Sequence, residues 1–162
     1  MQRIEPGPGQ ESVWDYPRPP KLVPTSKRIR IEFAGETIVS TGRAYRVLET
    51  SHPPTYYVPP DDVRMDLLAP GSDSSFCEWK GRARYYDLNV GGLTVPNAAW
   101  FYPRPSTAFL PITNYLAFYP SKMDACWVGN ERVASQPGDF YGGWITQDIV
   151  GPFKGSEGTW GW

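Results

Sequence analysis

One acid and one amine in this chain have neighbours that suit proton transfer. Glu49 lies in the segment RVLET, and Lys80 lies in CEWKG, next to a glycine and among aromatic residues. A carboxyl group withdrawn from water acts as a general acid or base, because burial raises its pKa. A partly buried lysine has a lowered pKa or anchors an anion. We predict Glu49 and Lys80 as a catalytic pair; the alternative is a surface Glu49 that forms a salt bridge with Arg43 or Lys80.

The chain has one histidine, His52, and two cysteines, Cys77 and Cys126. A single histidine excludes a site with several histidine ligands. His52 is predicted to contact a ligand, to act as an acid or base or to orient a loop; the alternative is a loop residue without function. A nucleophilic thiolate needs a nearby cation. Residues three apart in a strand face opposite ways, so Cys77 and Lys80 meet only if Gly81 or a bulge redirects the chain. The favoured prediction is therefore two reduced cysteines with structural roles.

Aromatic residues are the most informative class in the sequence, with 7 Trp, 10 Tyr and 7 Phe. Several fall on adjacent predicted strands, where they fill a core or form the walls of a ligand pocket. A Tyr-Tyr pair in a strand sends one ring to each face. The residues predicted to bind a ligand are Tyr57, Trp79, Tyr86, Trp100, Arg43 and His52.

Short strands are expected to position these residues. In KRIRIEFAGETIVS, Ile29, Ile31 and Phe33 alternate with charged residues, which predicts a strand, a turn at residues 34–36 and a returning strand. Residues 43–49 form the next predicted strand, with Glu49 on the same face as Arg43. A short helix is expected from Pro60 to about Leu68, ended by Ala69-Pro70-Gly71.

The second half of the sequence predicts a run of antiparallel strands separated by glycine and proline turns. Three regions follow: an extended proline-rich arm over 1–26, a core domain over 27–134, and a glycine- and aromatic-rich C-terminal extension over 135–162. Both the arm and the extension are expected to pack on the core, because exposed tryptophan side chains would leave apolar surface in contact with water. The predicted fold is mainly β, with roughly six to nine short strands and one or two short helices.

The sequence contains four motifs, which occur in this order: ESVWDYPRPP, RVLETSHPPTYYVPPDDV, CEWKGRARYY, and AWFYPRP followed by YLAFYP. In these motifs it resembles the domain of unknown function 427 family. The resemblance runs from about residue 11 to the C-terminus. It implies a β-tent-like fold, two antiparallel sheets meeting at an angle, and makes Glu49 and Lys80 recurring features of the family pattern. Relatives by fold include the cereblon ligand-binding domain and B-type methionine sulfoxide reductases.

Many of those relatives bind a structural zinc through two CxxC pairs, and this sequence has no CxxC. Cys77, Cys126 and His52 supply three ligands where a structural zinc needs about four, so no zinc is predicted. The family is sometimes labelled as nucleotidyltransferase. The residues of this chain favour nucleotidyl transfer least among the functions considered. The sequence has no phosphate-binding glycine motif, and the side chains of the adjacent Asp61 and Asp62 would point away from each other on a helix.

Composition excludes several other classes. The 162 residues carry 16 basic and 17 acidic side chains, and this net charge of −1 argues against a nucleic-acid partner. No stretch approaches the roughly 18 apolar residues of a membrane span, and no secretory signal is recognised, so a cytoplasmic protein is expected. A homodimer is left open.

The predicted function is binding of a small molecule in an aromatic pocket, without metal or cofactor. In its catalytic form, Glu49 and Lys80 would carry out proton transfer: isomerisation, cyclisation, elimination or hydrolysis. The alternative is a non-catalytic module that binds a ligand or peptide through an aromatic cage.

Overall fold

The computed structural model describes residues 1–138 and 140–162, and its regular structure is mainly antiparallel β-sheet with short helices. This confirms the predicted fold class. The strands are β1 (Glu11–Ser12), β2 (Lys21–Thr25), β3 (Ile29–Phe33), β4 (Glu36–Thr41), β5 (Ala44–Leu48), β6 (Thr55–Tyr57), β7 (Leu68–Cys77), β8 (Gly81–Val90), β9 (Leu93–Phe101), β10 (Leu116–Phe118), β11 (Ala125–Val128), β12 (Glu131–Arg132), β13 (Ala134–Ser135), β14 (Trp144–Ile145) and β15 (Ile149–Val150). The helices are 3₁₀ turns at Val13–Asp15, Pro60–Asp62, Met65–Leu67, Thr107–Ile112 and Pro120–Lys122.

The first sheet has the strand order β12-β11-β3-β4 and contains the hairpin that the sequence predicts most clearly. Ile29 and Ile31 are fully buried, whereas Arg30 between them is exposed. Ala34 and Gly35 make the turn with φ of 50° and 79°, which suits a tight hairpin. The alternating burial along β3 and the residues of the turn therefore indicate the same pairing register of β3 with β4.

The second sheet has the order β7-β8-β9-β10, and a third has the order β2-β5-β6. They meet where Val58, just after β6, pairs with Leu116 of β10 through backbone hydrogen bonds of 2.8 and 2.9 Å. This pairing brings the end of β5 and the whole of β6 next to β8, β9 and β10, the strands that carry the aromatic pairs of the second half. Side chains from both sheets consequently face one common space.

Tyr56 and Tyr57 go to opposite sides of β6, as alternation predicts. Tyr56 belongs to the larger apolar cluster, which the isoleucines of β3 also join. Tyr57 belongs to a second cluster with Tyr102 and Phe109. The candidate site described below lies on the Tyr57 side.

The C-terminal extension contributes to the main core. Trp144 of β14 is 1% exposed, its ring centroid lies 5.0 Å from that of Tyr56, and its indole Nε1 donates to the carbonyl of Phe118 at 3.2 Å. Farther along, β15 pairs in parallel with β1 near the N-terminus. The two ends of the chain are thus joined through the sheet structure.

Several predictions differ from the structure, whose described residues form 15 strands where roughly six to nine were expected and five 3₁₀ turns where one or two helices were expected. The helix expected from Pro60 to Leu68 is two separate 3₁₀ turns, and Leu68 already begins β7. Pro70 lies inside β7, which tolerates it because β7 is the edge strand and its register shifts after Pro70. The predicted arm over 1–26 ends in β2, which pairs along its whole length with β5, and Val13 within it is fully buried.

In the part of the chain that the structure describes, every helix is too short or too polar to serve as a membrane span.

Candidate functional site

A cavity of about 1010 Å³ lies between the β5–β6 loop, the β7–β8 hairpin, β9 and the C-terminal extension. We refer to it as the aromatic cavity. It is lined by Val47, Glu49, His52, Pro53, Thr55, Tyr57, Asp73, Ser74, Ser75, Phe76, Cys77, Glu78, Trp79, Lys80, Tyr85, Asn97, Trp100, Tyr102, Tyr119, Lys122, Gln136, Phe140, Tyr141, Gly142 and Lys154.

Lys80 occupies the turn of the β7–β8 hairpin, in which Cys77 pairs with Gly81. Gly81 has φ of +111°, a conformation that side chains other than glycine rarely adopt. A Cβ atom there would also approach the Arg104 carbonyl to 3.2 Å. This turn redirects the chain, so Cys77 and Lys80 line the same cavity, contrary to the arrangement expected for residues three apart in a strand.

The Lys80 side chain is only 9% exposed. Its Nζ lies 6.0 Å from the ring centroid of Tyr102 and 5.8 Å from that of Phe109. Among the described residues, no carboxylate oxygen lies within 4.0 Å of it. Burial lowers the pKa of this ammonium, but Tyr57, Cys77 and Glu49 raise it by more. The group is therefore a buried cation that faces the cavity without a counter-ion in contact.

Glu49 follows β5 and contacts His52 instead of Lys80, with its Oε2 at 3.6 Å from the imidazole Nε2. Gln136 holds the other side of the ring, since its Nε2 lies 3.0 Å from Nδ1 of His52. The amide of Gln136 can have only one orientation: Oε1 accepts from the amide of Gly143, and Nε2 donates to the carbonyl of Lys154 at 2.8 Å.

This orientation assigns the tautomer of His52. Because the Gln136 amide donates, Nδ1 must accept, and the proton of a neutral imidazole lies on Nε2, toward Glu49. The pKa of the ring is lowered to about 4, mainly by burial and then by the positive charges of Lys154, Arg18 and Lys80. These effects outweigh the nearby carboxylate of Glu49, which favours the charged form. His52 is thus a neutral ring that accepts a hydrogen bond from Gln136 and turns its Nε2 toward the Glu49 carboxylate.

Aromatic rings form the walls of the cavity. Trp100 donates its indole N–H to the hydroxyl of Tyr57 at 3.0 Å, and the two rings meet edge to face. On its other side Trp100 packs against Tyr119, with ring centroids 4.6 Å apart. The ring of Tyr141 meets His52 edge to face at 4.8 Å. Such contacts fix the rings in place, so the shape of the cavity is set before a ligand binds.

The C-terminal extension closes part of this wall. Gly142 lies against Trp100 and Tyr119 so closely that a Cβ at this position would overlap the indole ring of Trp100. Glycine is required here by the close approach of the backbone to the ring. Gln136, Tyr141 and Lys154 reach the cavity from the same extension.

Of the residues predicted as site residues, Glu49, Lys80, Tyr57, Trp79, Trp100 and His52 all line the aromatic cavity. Arg43 and Tyr86 do not. Arg43 lies before β5, where its backbone N–H donates to Thr41 and its guanidinium pairs with Asp62 at 3.1 Å. Tyr86 stacks on Phe101 at 4.6 Å, and the neighbouring Tyr85 lines the cavity in its place.

Sequence reasoning did not identify Gln136, Tyr141, Lys154 or Lys122 as site residues. The only available signal was the pair Gly142-Gly143 among aromatic residues in the C-terminal extension. Asp62, part of the acidic pair weighed above for nucleotidyl transfer, accepts from the Thr41 hydroxyl at 2.7 Å and lies outside the cavity. Within residues 1–138 and 140–162 no group of three or more His, Cys, Asp or Glu side chains could hold a metal ion.

Comparison with known proteins places the chain in a family. No curated protein matches it. A family model described as a domain of unknown function (DUF427) matches residues 21–129, which is more than half of the 162 residues. The match includes Glu49, His52, Trp79, Lys80 and Trp100, whereas the part of the cavity wall made by the C-terminal extension lies beyond it. The chain therefore belongs to the DUF427 family.

Proposed function

We propose that the protein binds a small organic anion with a flat, unsaturated part in the aromatic cavity. The observation that carries this proposal is the Lys80 ammonium, which is 9% exposed and faces the cavity without a carboxylate in contact among the described residues. A buried charge costs free energy unless it is paired. An anionic ligand would supply the missing partner.

The distribution of charge supports an anion over a cation. The charged lining residues that are not exposed comprise Lys80, Lys122 and Lys154 against Glu49, in the described part of the chain. The two other acids, Asp73 and Glu78, are exposed. Lys122 already donates to the carbonyls of Pro96 and Asn97, at 3.2 and 3.0 Å, and Lys80 is the most deeply buried of the three lysines.

The walls support a ligand with a flat part. The rings of Trp100 and Tyr119 pack on each other and against the backbone of Gly142, and Tyr141 packs on His52. Aromatic faces of this kind favour stacking with unsaturated ligands. A carboxylate attached to a ring or a conjugated chain combines the two features that the cavity selects.

Proton transfer on the bound anion is the proposed chemistry. Glu49 lines the same cavity as Lys80, and the neutral imidazole of His52 directs its Nε2 proton toward the Glu49 carboxylate. A general base within reach of a C–H bond next to a carboxylate or carbonyl can remove that proton, and the cation stabilises the negative charge that develops. No cofactor is needed for such a step.

Binding is tested with phenylacetate and its neutral amide, phenylacetamide. We expect phenylacetate to bind more tightly to the native protein, and Lys80→Met to weaken phenylacetate by about tenfold or more while changing phenylacetamide little. Isothermal titration calorimetry gives both dissociation constants. Lys21→Met, which removes an exposed lysine outside this cavity, is the matched control. Equal affinity for acid and amide in the native protein would contradict the proposal.

Proton transfer is tested with phenylpyruvate, an aromatic 2-oxo acid with exchangeable protons on its benzylic carbon. In D₂O we expect the protein to accelerate deuterium incorporation at that carbon, and Glu49→Gln to reduce the acceleration by roughly 10²-fold or more. Proton NMR follows the exchange, and calorimetry checks that the variant still binds. If Glu49→Gln binds normally and exchange is unchanged, the site is a non-catalytic binding module.

A further inference from the structure

The thiol of Cys77 lies in the aromatic cavity together with Lys80. Cys77 ends β7 and pairs with Gly81 across the hairpin, so three residues separate it from the glycine that reverses the chain. It is a free cysteine of intermediate exposure, and it is one of the residues that line the cavity. The other cysteine, Cys126, is 2% exposed in the main core.

Lys80 supplies an independent reason to connect this thiol with a ligand. Its ammonium is nine-tenths buried, faces the cavity, and has no carboxylate partner in the described residues. Cys77 is among the groups that favour its charged form. A cation next to a sulfur atom stabilises the negative charge of the attacking thiolate. The same cation would hold the carboxylate of a ligand beside the sulfur.

We propose that Cys77 is a nucleophile that adds to anionic ligands carrying an activated double bond, that is, carboxylates whose carbon–carbon double bond is conjugated to a ketone and is attacked at the carbon β to that ketone. This inference rests on the proposed anion binding at Lys80. The Sγ atom attacks the β-carbon, a carbon–sulfur bond forms and the carbon–carbon π bond breaks. The electron pair moves to the α-carbon, which takes up the proton that left the thiol. No oxidant, reductant or further reactant is required, and the reverse step releases the ligand unchanged.

The environment of the two thiols makes Cys126 an internal control. Burial raises the pKa of the Cys126 thiol to about 12, so it carries little thiolate at neutral pH. The cavity, in contrast, opens to solvent at exposed residues such as Phe76 and Glu78 on either side of Cys77. A reagent in solution can therefore reach Cys77 and not Cys126.

The test uses 3-benzoylacrylate and its primary amide, which share the ring and the double bond and differ in charge. In the native protein, we expect the acid-to-amide ratio of modification rates at Cys77 to exceed the same ratio for glutathione by roughly tenfold. Mass spectrometry of peptides from timed samples locates the adduct and gives the rates. Lys80→Met is expected to return the ratio to that of glutathione, and Lys21→Met to leave it unchanged.

The measurement on the native protein decides the question even if a variant fails to fold. A ratio equal to that of glutathione, or adducts at Cys126 in place of Cys77, overturns the inference. If phenylacetate still binds in a Lys80-dependent way in that case, the nucleophile is rejected and anion binding stands. If phenylacetate shows no preference over phenylacetamide either, the proposed function fails as well.

Discussion

Trp144→Ala is expected to lower the free energy of unfolding by about 3–5 kcal/mol, the cost of removing a large buried aromatic side chain. Trp144 is 1% exposed and belongs to the same apolar cluster as the isoleucines of β3. Alanine would leave a cavity beside Tyr56 and would remove the indole donor of the Phe118 carbonyl. The effect is expected although residue 144 lies beyond the part of the chain that the family model matches.

Trp160→Ala provides a matched control in the same C-terminal extension. Trp160 is 59% exposed, so its replacement is expected to change stability by less than about 0.5 kcal/mol. Urea unfolding followed by circular dichroism measures both variants without depending on tryptophan fluorescence. Similar small effects for the two variants would mean that the extension does not stabilise the core. In that case the cavity wall formed by Gly142 could not be a fixed part of the site.

The predictable parts of the fold are those in which local rules agree. At the β3–β4 hairpin, alternating burial of Ile29 and Ile31 and the turn at Ala34-Gly35 indicate the same register. The Tyr56-Tyr57 pair follows the same rule, with one ring in each apolar cluster. Period-two alternation depends on the backbone alone, which is why sequence suffices to predict it.

The rule fails where the chain leaves a regular strand. Arg43 was predicted to share a face with Glu49, but it precedes β5 and is held by a turn at Thr41. Cys77 and Lys80 were expected on opposite faces unless Gly81 or a bulge redirected the chain, and Gly81 does reverse the chain between β7 and β8. In both places the direction of a side chain depends on the geometry of a turn, which the number of residues between two positions does not determine.

Contacts from the C-terminal extension could not be predicted because they join distant parts of the chain. Gln136 reaches His52 across 84 positions in the sequence, and Tyr141 packs on the same ring. Composition indicated only that this segment is rich in glycine and aromatic residues. Its role in orienting His52 comes from tertiary packing, for which one sequence carries no local signal.

Acidification from pH 6.5 to about 4 is expected to destabilise the protein by roughly 3 kcal/mol through His52 alone. The folded state holds this imidazole neutral, with its pKa lowered to about 4 by burial and by the charges of Lys154, Arg18 and Lys80. The unfolded chain takes up the proton near pH 6.5. Below that value the unfolded state binds more protons than the folded state, so stability falls with pH and levels off near the folded pKa.

The single histidine makes this prediction measurable at one residue. The imidazole NMR signals are expected to titrate near pH 4, and urea unfolding at several pH values is expected to show the loss of stability. His52→Gln should flatten the profile between pH 6.5 and 4.5. The carboxyl groups with lowered pKa values, Asp62, Asp66 and Asp148, lose their contributions only below about pH 4, because their ordinary value is 3.8.

A titration midpoint near 6.5 would contradict the orientation derived for the Gln136–His52–Glu49 contacts. A charged imidazole carries a proton on Nδ1 as well, and that proton would face the amide donor of Gln136. Gln136 cannot turn its amide to accept it without losing its bonds to Gly143 and Lys154. The pKa of His52 and the position of the C-terminal extension are therefore linked: protonation of the ring should weaken the hydrogen bonds that hold Gln136 and Gly143 against the cavity.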